Sequence, residues 1–398
     1  MRIAPGSPIA ALTVAATAHA GFTVQYLGNF PPAVTQRINA AGQVAGDFQF
    51  QSVTTAMRYD PAAGQVALPV PAGTTQSIAT SINASGACVG RVTSPSTGTA
   101  AAAWSAAGQL TVLPLPSGNW TYNTASGIND TGTACGFVSL ALVGSTPQQC
   151  WRWTPGQGYG MLPLLGGIAA FCRDINASGQ VVGSGETTAG GPARAVVWQA
   201  DGTITNLGTV SGATATFGAA INDAGKVVGT TNGNGNAILW TPGQGWRILP
   251  DFGYKAAAFD INNAGWILGW ADTMPFETVP VVWDPQGNLH DVYAAVDQSR
   301  FYFPGDYQVP IALSENNVIV VYGYDFAAGG DPRALLFRVG NGTCTGDLNG
   351  NGAVEGADLA SLLGAWGPAG GSNADLNADG QVDGADLASL LGAWGLCP

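Results

Sequence analysis

The chain has 398 residues, of which 46% are apolar and only 10% charged, too apolar and too weakly charged for a disordered polypeptide. Its net charge is −12 and Lys226 and Lys255 are its only lysines, which disfavours a nucleic-acid partner, since phosphates are neutralised by clustered Lys and Arg. With His19 and His290 as the only histidines, most His-dependent catalysis is excluded, and 58 glycines without a Gly-X-Y period exclude collagen and point to many tight turns.

In chain order, residues 1–20 read as a signal peptide. Arg2 supplies a positive start, residues 8–17 (PIAALTVAAT) form a short apolar run, and Ala18-His19-Ala20 fits the small-x-small cleavage pattern. Cleavage after Ala20 leaves His290 as the single histidine. The run is too short to span a bilayer, and no later stretch reaches the roughly 18 apolar residues a span needs. The sequence therefore predicts no membrane span and a secreted, extracellular or cell-surface location. In that oxidising setting an even set of six cysteines can pair.

Residues 21–340 are a repeat. INAAGQVAG starts at Ile38, INASGACVG at Ile82, INDTGTACG at Ile128, INASGQVVG at Ile175, INDAGKVVG at Ile221 and INNAGWILG at Ile261. A degenerate copy, LSENNVIVV, starts at Leu313, and the spacings are 44, 46, 47, 46, 40 and 52 residues. After each motif comes an apolar stretch ending in an aromatic: Tyr59, Trp104, Trp153, Trp198, Trp240, Trp283 and Phe337. A turn and a Leu-centred stretch follow. Four short apolar segments in a unit of about 45 residues predict an all-β fold, a seven-bladed β-propeller of four-stranded blades. The Leu-type strand near Val24–Leu27 precedes the first motif, while the unit ending at Phe337 lacks its own. The N-terminal strand is therefore expected to complete the last blade and remove an open edge.

Within each motif, N-x-x-G reads as a β-turn. Asn39, Asn83, Asn129, Asn176, Asn222 and Asn262 are expected to bond their own turn, with Gly supplying positive φ. The third-strand aromatics are expected to fill the space between blades. Small residues on the first strands (Ala79, Ser81, Ala125, Gly127, Ala219, Ala220, Ala257, Ala258) suit a crowded innermost position. The INxxGxVVG string followed by ARAVVW or GNAILW resembles the extracellular HAF-repeat proteins of bacteria over residues 22–340. The nominal His-Ala-Phe is replaced here by Ala-Met-Arg-Tyr, Ala-Val-Val-Trp or Ala-Leu-Leu-Phe. That resemblance implies no reaction.

Composition shifts after Arg338: from Cys344 to Pro398 there are seven acids and no Lys, Arg or His. DLNGNGAVEGADLASLLGAWG from Asp347 is repeated 28 residues on as DLNADGQVDGADLASLLGAWG from Asp375. Each opens with D-x-N-x-[ND]-G and places an acid at position twelve, a calcium loop in which oxygen ligands fall at positions one, three, five, seven and twelve. The first loop offers Asp347, Asn349, Asn351, the Ala353 carbonyl and Asp358. The second offers Asp375, Asn377, Asp379, the Gln381 carbonyl and Asp386. Glu355 and Asp383 hold the ninth positions, where a ligand acts through water. Two Ca2+ ions are expected, and each loop runs into a helix, ADLASLLGAW. Loop plus helix, duplicated over residues 344–398, closely resembles the type I dockerin module. The resemblance implies a cohesin-like or other surface-protein partner. Where cohesin-binding dockerins often carry a hydroxyl residue, this chain has Gly356-Ala357 and Gly384-Ala385. The LLGAWG ending is similar to tails on secreted proteins of planctomycete-like bacteria.

Cys344 and Cys397 bracket the module and are expected to pair, closing a long loop. Cys135 and Cys150 lie on consecutive strands and are expected to meet across a hairpin, leaving Cys88 and Cys172. Three functions compete: a secreted non-catalytic propeller docked or sorted through its calcium module, a propeller glycoside hydrolase or polysaccharide lyase carrying the same tag, and a structural cell-surface component. Arg37, Asp174 and Asp260 each stand one residue before their Ile. A carboxylate pair suffices for glycoside hydrolysis, but the acids recur irregularly and read as turn residues or local salt bridges. His290 reads as structural. Trp120, Tyr122, Phe171, Phe217 and Tyr254, with Phe301, Tyr302, Phe303 and Tyr307, mark a candidate face for a neutral carbohydrate or peptide ligand.

Overall fold

The computed structural model describes residues 22–30, 34–50, 53–61, 63–140, 147–232, 235–275, 277–303, 311–329, 332–341, 345–349, 353–369, 372–377 and 379–396. The expected signal peptide, Tyr307, and the expected Cys344–Cys397 pair lie outside the described residues.

The body is mostly β and propeller-like. Each motif opens an antiparallel four-stranded group. The first group is Val34–Ile38, Val44–Phe50, Val53–Asp60 and Gly64–Ala67. The next starts with Gln76–Ile82, and others with Tyr122–Ile128, Ala170–Ile175, Thr216–Ile221 and Ala256–Ile261. The group of the degenerate motif is Ile311–Leu313, Val318–Asp325 and Pro332–Asn341, and its outer strand is Phe22–Phe30. Phe22 stands opposite Asn341 and Phe30 opposite Ala334. The first strand among the described residues thus completes the last sheet, as the displaced Leu-type segment requires.

Strands flanked by sheets on both faces bury both sets of side chains, so they read as continuous apolar runs. Val181–Glu186 is buried along all but its last residue. Between neighbouring sheets lie Trp104, Trp198, Trp283 and Phe337, each at most 1% exposed. The indole N–H groups of Trp104, Trp198 and Trp283 donate to the carbonyls of Pro69, Pro163 and Pro250 in the preceding sheet. These four third-strand aromatics therefore fill the space between sheets, as expected, and the three indole N–H groups among them each find an acceptor, while Tyr59, Trp153 and Trp240 are half-buried.

Two glycines per motif have separate causes. The turn glycines, such as Gly42, Gly86 and Gly225, hold φ of 75°, 83° and 73°. The terminal glycine faces a β-bulge. The register slips one residue in the first strand, between Thr35 and Arg37, Ala79 and Ser81, Cys172 and Asp174, and Ala258 and Asp260. At Gly90, Gly183 and Gly269 a Cβ would sit on the carbonyl oxygen of Ile78, Phe171 or Ala257 across this bulge. The bulge re-aims the residue before each motif Ile.

The motif asparagines do more than bond their own turn. Each Oδ1 accepts the backbone N–H four residues on, as Asn176 does from Gln180 at 3.0 Å. Each Nδ2 donates to the next motif's Asn carbonyl: Asn39 to Asn83, Asn83 to Asn129, Asn129 to Asn176, Asn176 to Asn222 and Asn222 to Asn262, all at 3.0–3.1 Å. Asn262 reaches the Ser314 carbonyl at 3.1 Å, and Asn316 returns to the Ala40 carbonyl at 2.9 Å. Buried amides thus link each motif to the next as far as Ser314, and an exposed bond from Asn316 returns the series to the first motif.

The expected Cys135–Cys150 disulfide is corrected. Cys135 stands opposite Arg152 and Cys150 opposite Phe137, so the two are out of register by two residues. A cross-strand disulfide needs its Cα atoms close and its Cβ atoms directed at each other, a condition the diagonal position misses. Cys88, Cys135, Cys150 and Cys172 are buried free thiols, and Cys172 donates to the Gly136 carbonyl at 2.7 Å. Burial pushes Cys88 up to about 12 and raises Cys135 and Cys172, which keeps these thiols protonated.

Candidate functional site

The C-terminal repeats form a pseudo-symmetric pair. Their helices are Gly356–Gly364 and Gly384–Gly392. The short strand of the first loop, Ala353–Val354, pairs with Gly395–Leu396 behind the second helix, while Gln381–Val382 pairs with Gly367–Pro368 behind the first. Gly367 and Gly395, at φ 120° and 123°, turn the chain out of each helix toward its partner loop. This is the structural use of the LLGAWG ending. Val354, Leu362, Val382 and Leu390 fill the shared core at 0% exposure.

Asp358 and Asp386, expected as twelfth-position ligands, are wholly buried. Asp358 Oδ1 accepts from Leu348 and Asn349 N–H, and Oδ2 from Glu355 N–H. Asp386 repeats the pattern with Leu376, Asn377 and Asp383. The Asp383 N–H, followed by those of Leu376 and Asn377, holds Asp386 below the usual carboxylate range. The ninth-position residues Glu355 and Asp383 are helix N-caps, and Asp383 Oδ1 accepts from Ala385 N–H at 2.8 Å. The sequence carries this signal as an acid three residues before another acid at a helix start, a capping box read above only as ligand spacing.

In the second loop Asp375 accepts from Asp379 and Gly380 N–H, and Asn377 Oδ1 accepts from Asp379 N–H. Asp347 and Asn349 lie in the described part of the first loop, and Asn351 lies outside it. Among the described residues no three His, Cys, Asp or Glu side chains are gathered in metal-holding geometry. The donor chemistry nevertheless fits a hard cation, because the loop positions present carboxylate, amide and carbonyl oxygens and no nitrogen or sulfur donor. Beyond the loops, Leu363 and Leu391 are each 51% exposed, and Trp366 and Trp394 each 50%. Two matched apolar patches thus stand on the two halves.

In the propeller body the bulges bring together three residues from non-adjacent sheets. Arg37 Nη1 pairs with Asp260 Oδ1, and Arg37 Nη2 lies 3.6 Å from Asp174 Oδ1. Asp174 Oδ2 also accepts Ile221 N–H and Asp260 Oδ2 accepts Leu313 N–H, each from the motif of the next sheet. Burial raises Asp174, against the pull of Arg37. Burial also opposes the Arg37 charge, but Asp260 and Asp174 more than offset it and raise the guanidinium. The acids read above as turn residues or local pairs are therefore one cross-body cluster. Their shared place before Ile was the available signal, hidden because other sheets carry Ser81, Gly127 and Ala220 there. His290 is buried, with Nε2 3.0 Å from Asp284 Oδ2, a structural contact as expected. Of the candidate ligand-face aromatics, Phe301 and Phe303 are core residues packed on Phe337, whereas Phe171, Tyr254 and Tyr302 are exposed.

Comparison with known proteins separates the two parts. Residues 345–391 match the Dockerin type I domain. Such domains bind calcium and pair with cohesins, which supports assembly of the dockerin type for this module. The chain is similar in fold to virginiamycin B lyase from Staphylococcus aureus, with TM-score 0.51, 11% identity, and coverage of 79% of this chain and 99% of that one. Oligogalacturonate lyase from Vibrio parahaemolyticus gives TM-score 0.50 and 11% identity over 79% and 90%. At such identities the likeness shows the fold alone. No curated protein matches the chain. No helix among the described residues is long and apolar enough to cross a membrane.

Proposed function

We propose that the protein is a secreted, non-catalytic binding or scaffold protein, docked or sorted through a calcium-dependent module that holds two Ca2+ ions. The observation that carries the reading is the duplicated loop and helix, matched by the dockerin family, with equal exposed patches at Leu363 and Trp366 and at Leu391 and Trp394. Asp347, Asn349, Asn351, the Ala353 carbonyl and Asp358 would hold one ion. Asp375, Asn377, Asp379, the Gln381 carbonyl and Asp386 would hold the other. Calcium supplies the attraction that lets closely spaced carboxylates fold together. The body, residues 21–340, is read as seven blades closed by Phe22–Phe30, in support of which the strand groups and the series of amide bonds each return to their starting point. Its role is to present ligand-binding loops for a carbohydrate or peptide. The test is capture of the full chain by a type I cohesin panel with calcium and with chelator. Calcium-dependent capture, weakened only when both Trp366→Ala and Trp394→Ala are present, is expected. Capture by none of the panel, with calcium bound, would move the module to another surface partner.

A second reading rests on the Asp174–Asp260 pair: a glycoside hydrolase or polysaccharide lyase. The ion pair with Arg37 and the backbone N–H bonds engage both carboxylates, which favours the structural role. Turnover of a polysaccharide panel that vanishes in Asp260→Asn with the fold intact would reverse that order.

A further inference from the structure

Between the sheets of the Ile175 and Ile221 motifs lies a cavity of about 260 Å3, with Gln180, Val197, Gln199, Asp223 and Trp240 in its wall. At two other sheet boundaries the chain's own arginine occupies the corresponding place, whereas Ala103, Leu239 and Val282 stand there at others. Arg152, one residue before Trp153, crosses to the next sheet and donates Nη1 to the Gly179 and Gln199 carbonyls and Nη2 to the Ala200 carbonyl, at 3.1, 3.2 and 2.6 Å. Arg58, one residue before Tyr59, donates Nη1 to the Gly86 and Ala106 carbonyls at 2.7 and 2.9 Å. The acceptors have fixed places: the turn glycine of the next motif, and the residue two beyond the next third-strand Trp. At the cavity those places are Gly225 and Pro242, and both line it. The position of the arginine is Val197, one residue before Trp198. No side chain among the described residues donates to the Gly225 or Pro242 carbonyl.

One wall is built as in the groove that Arg58 fills. Gln180 Oε1 accepts Asn176 Nδ2 at 2.8 Å, as Gln43 Oε1 accepts Asn39 Nδ2 at 2.9 Å. Gln180 is held further by its Nε2 bond to Gln199 Oε1 at 2.7 Å. Trp240 faces a sheet that carries Leu207-Gly208 where others carry Leu-Pro, and it stays half-buried, a ring surface on the cavity. Asp223 supplies a carboxylate. Its oxygens already accept Ala177 N–H and Asn263 Nδ2 but keep further lone pairs.

We propose that this cavity is a guanidinium site, taking an arginine side chain presented by a peptide or a free arginine-like molecule. Two backbone carbonyls receive its N–H groups, Trp240 offers a face to the planar cation, and Asp223 balances the charge. A net charge of −12 favours arrival of a cation. The inference concerns the propeller body and stands independently of docking through the C-terminal module.

The test is calorimetry on the full chain with methylguanidinium, methylammonium, free arginine and N-acetyl-arginine amide. Methylguanidinium is expected to bind about tenfold more tightly than methylammonium, since a point-like ammonium does not span two carbonyls. Val197→Arg supplies the missing guanidinium from within and is expected to abolish binding without lowering Tm. Val197→Met, which fills the cavity without charge, is expected to do the same if the arginine variant does not fold. Tighter binding of the amide than of free arginine identifies a peptide source, and the reverse order a free amino acid. Equal binding of the two simple cations, unchanged binding in the filled variant, or no saturable heat with methylguanidinium would overturn the proposal. Cohesin capture of Val197→Arg, unaffected in either case, keeps this outcome separate from the docking reading.

Discussion

The side chain of Asn176 carries four hydrogen bonds: it accepts from Gln180 N–H and the Ser178 hydroxyl, and donates to Gln180 Oε1 and the Asn222 carbonyl. Asn176→Ala leaves the half-buried Gln180 N–H without its acceptor and removes one of the two donors to the buried Asn222 carbonyl, which keeps the Gly225 N–H. The expected loss is about 2–4 kcal/mol, read as a fall in the denaturation midpoint. Asn176→Asp retains the acceptor for Gln180 N–H and sets a carboxylate against the Asn222 carbonyl, so it should be no better. An intact midpoint for either variant would show that this series of bonds contributes nothing. Asp47 shows the opposite situation. It is 5% exposed, its Oδ1 has no partner among the described residues, and burial pushes it up to about 6 against the pull of Arg91. The folded state therefore holds its proton more tightly than the unfolded chain. Stability from this group is full below about pH 4 and falls as pH rises through about 6. Asp47→Asn should flatten that part of the curve and stabilise the protein at pH 7, as denaturant titrations at pH 4 and pH 7 will show.

At the scale of the element, the Phe22–Phe30 strand supplies the closing edge. Its Tyr26 packs 5.5 Å from Phe337 and 4.8 Å from Phe301, its hydroxyl donates to Asp325 at 3.0 Å, and the Arg300 guanidinium lies 4.6 Å over its ring. Arg300 in turn donates to both Asp325 oxygens at 3.0 Å. Deleting residues 22–30 removes this cluster and leaves Pro332–Asn341 with an unpaired edge. The deletion should lower Tm by many degrees and promote association. An unchanged Tm in a monomeric deletion variant would disprove closure by this strand. The helices of the module follow a similar logic. Each short strand pairs behind the other helix, so neither repeat is complete alone.

At the scale of the whole molecule, the two parts should answer to different perturbations. A module of some fifty residues buries little apolar surface and on the proposed reading draws on calcium for its fold, whereas the body has its own extensive core. Chelator should remove the cooperative unfolding of the module and leave the main transition of the body in place. Adding calcium should restore the first transition with a stoichiometry of two. A stoichiometry of one, or a chelator-insensitive circular dichroism spectrum, would contradict the two-ion reading.

What the sequence determined by itself is whatever repeats along the chain. The INxxG strings announce the strand groups, their turn glycines and the displaced first strand, because a turn and its flanking strands are local and recur in each unit. The calcium-loop spacing and its helix are legible for the same reason. Tertiary structure alone decided what depends on contact between units. Asn39 reaches Asn83 across a sheet boundary, 44 residues away. Arg37 meets Asp174 and Asp260 because bulges in three non-adjacent sheets aim them at one place. Cys135 misses Cys150 because register, and not proximity in sequence, sets which strand residues face each other. The open groove at Val197 becomes visible only when it is compared with the grooves that Arg58 and Arg152 fill, since an empty place is defined by the neighbours that surround it.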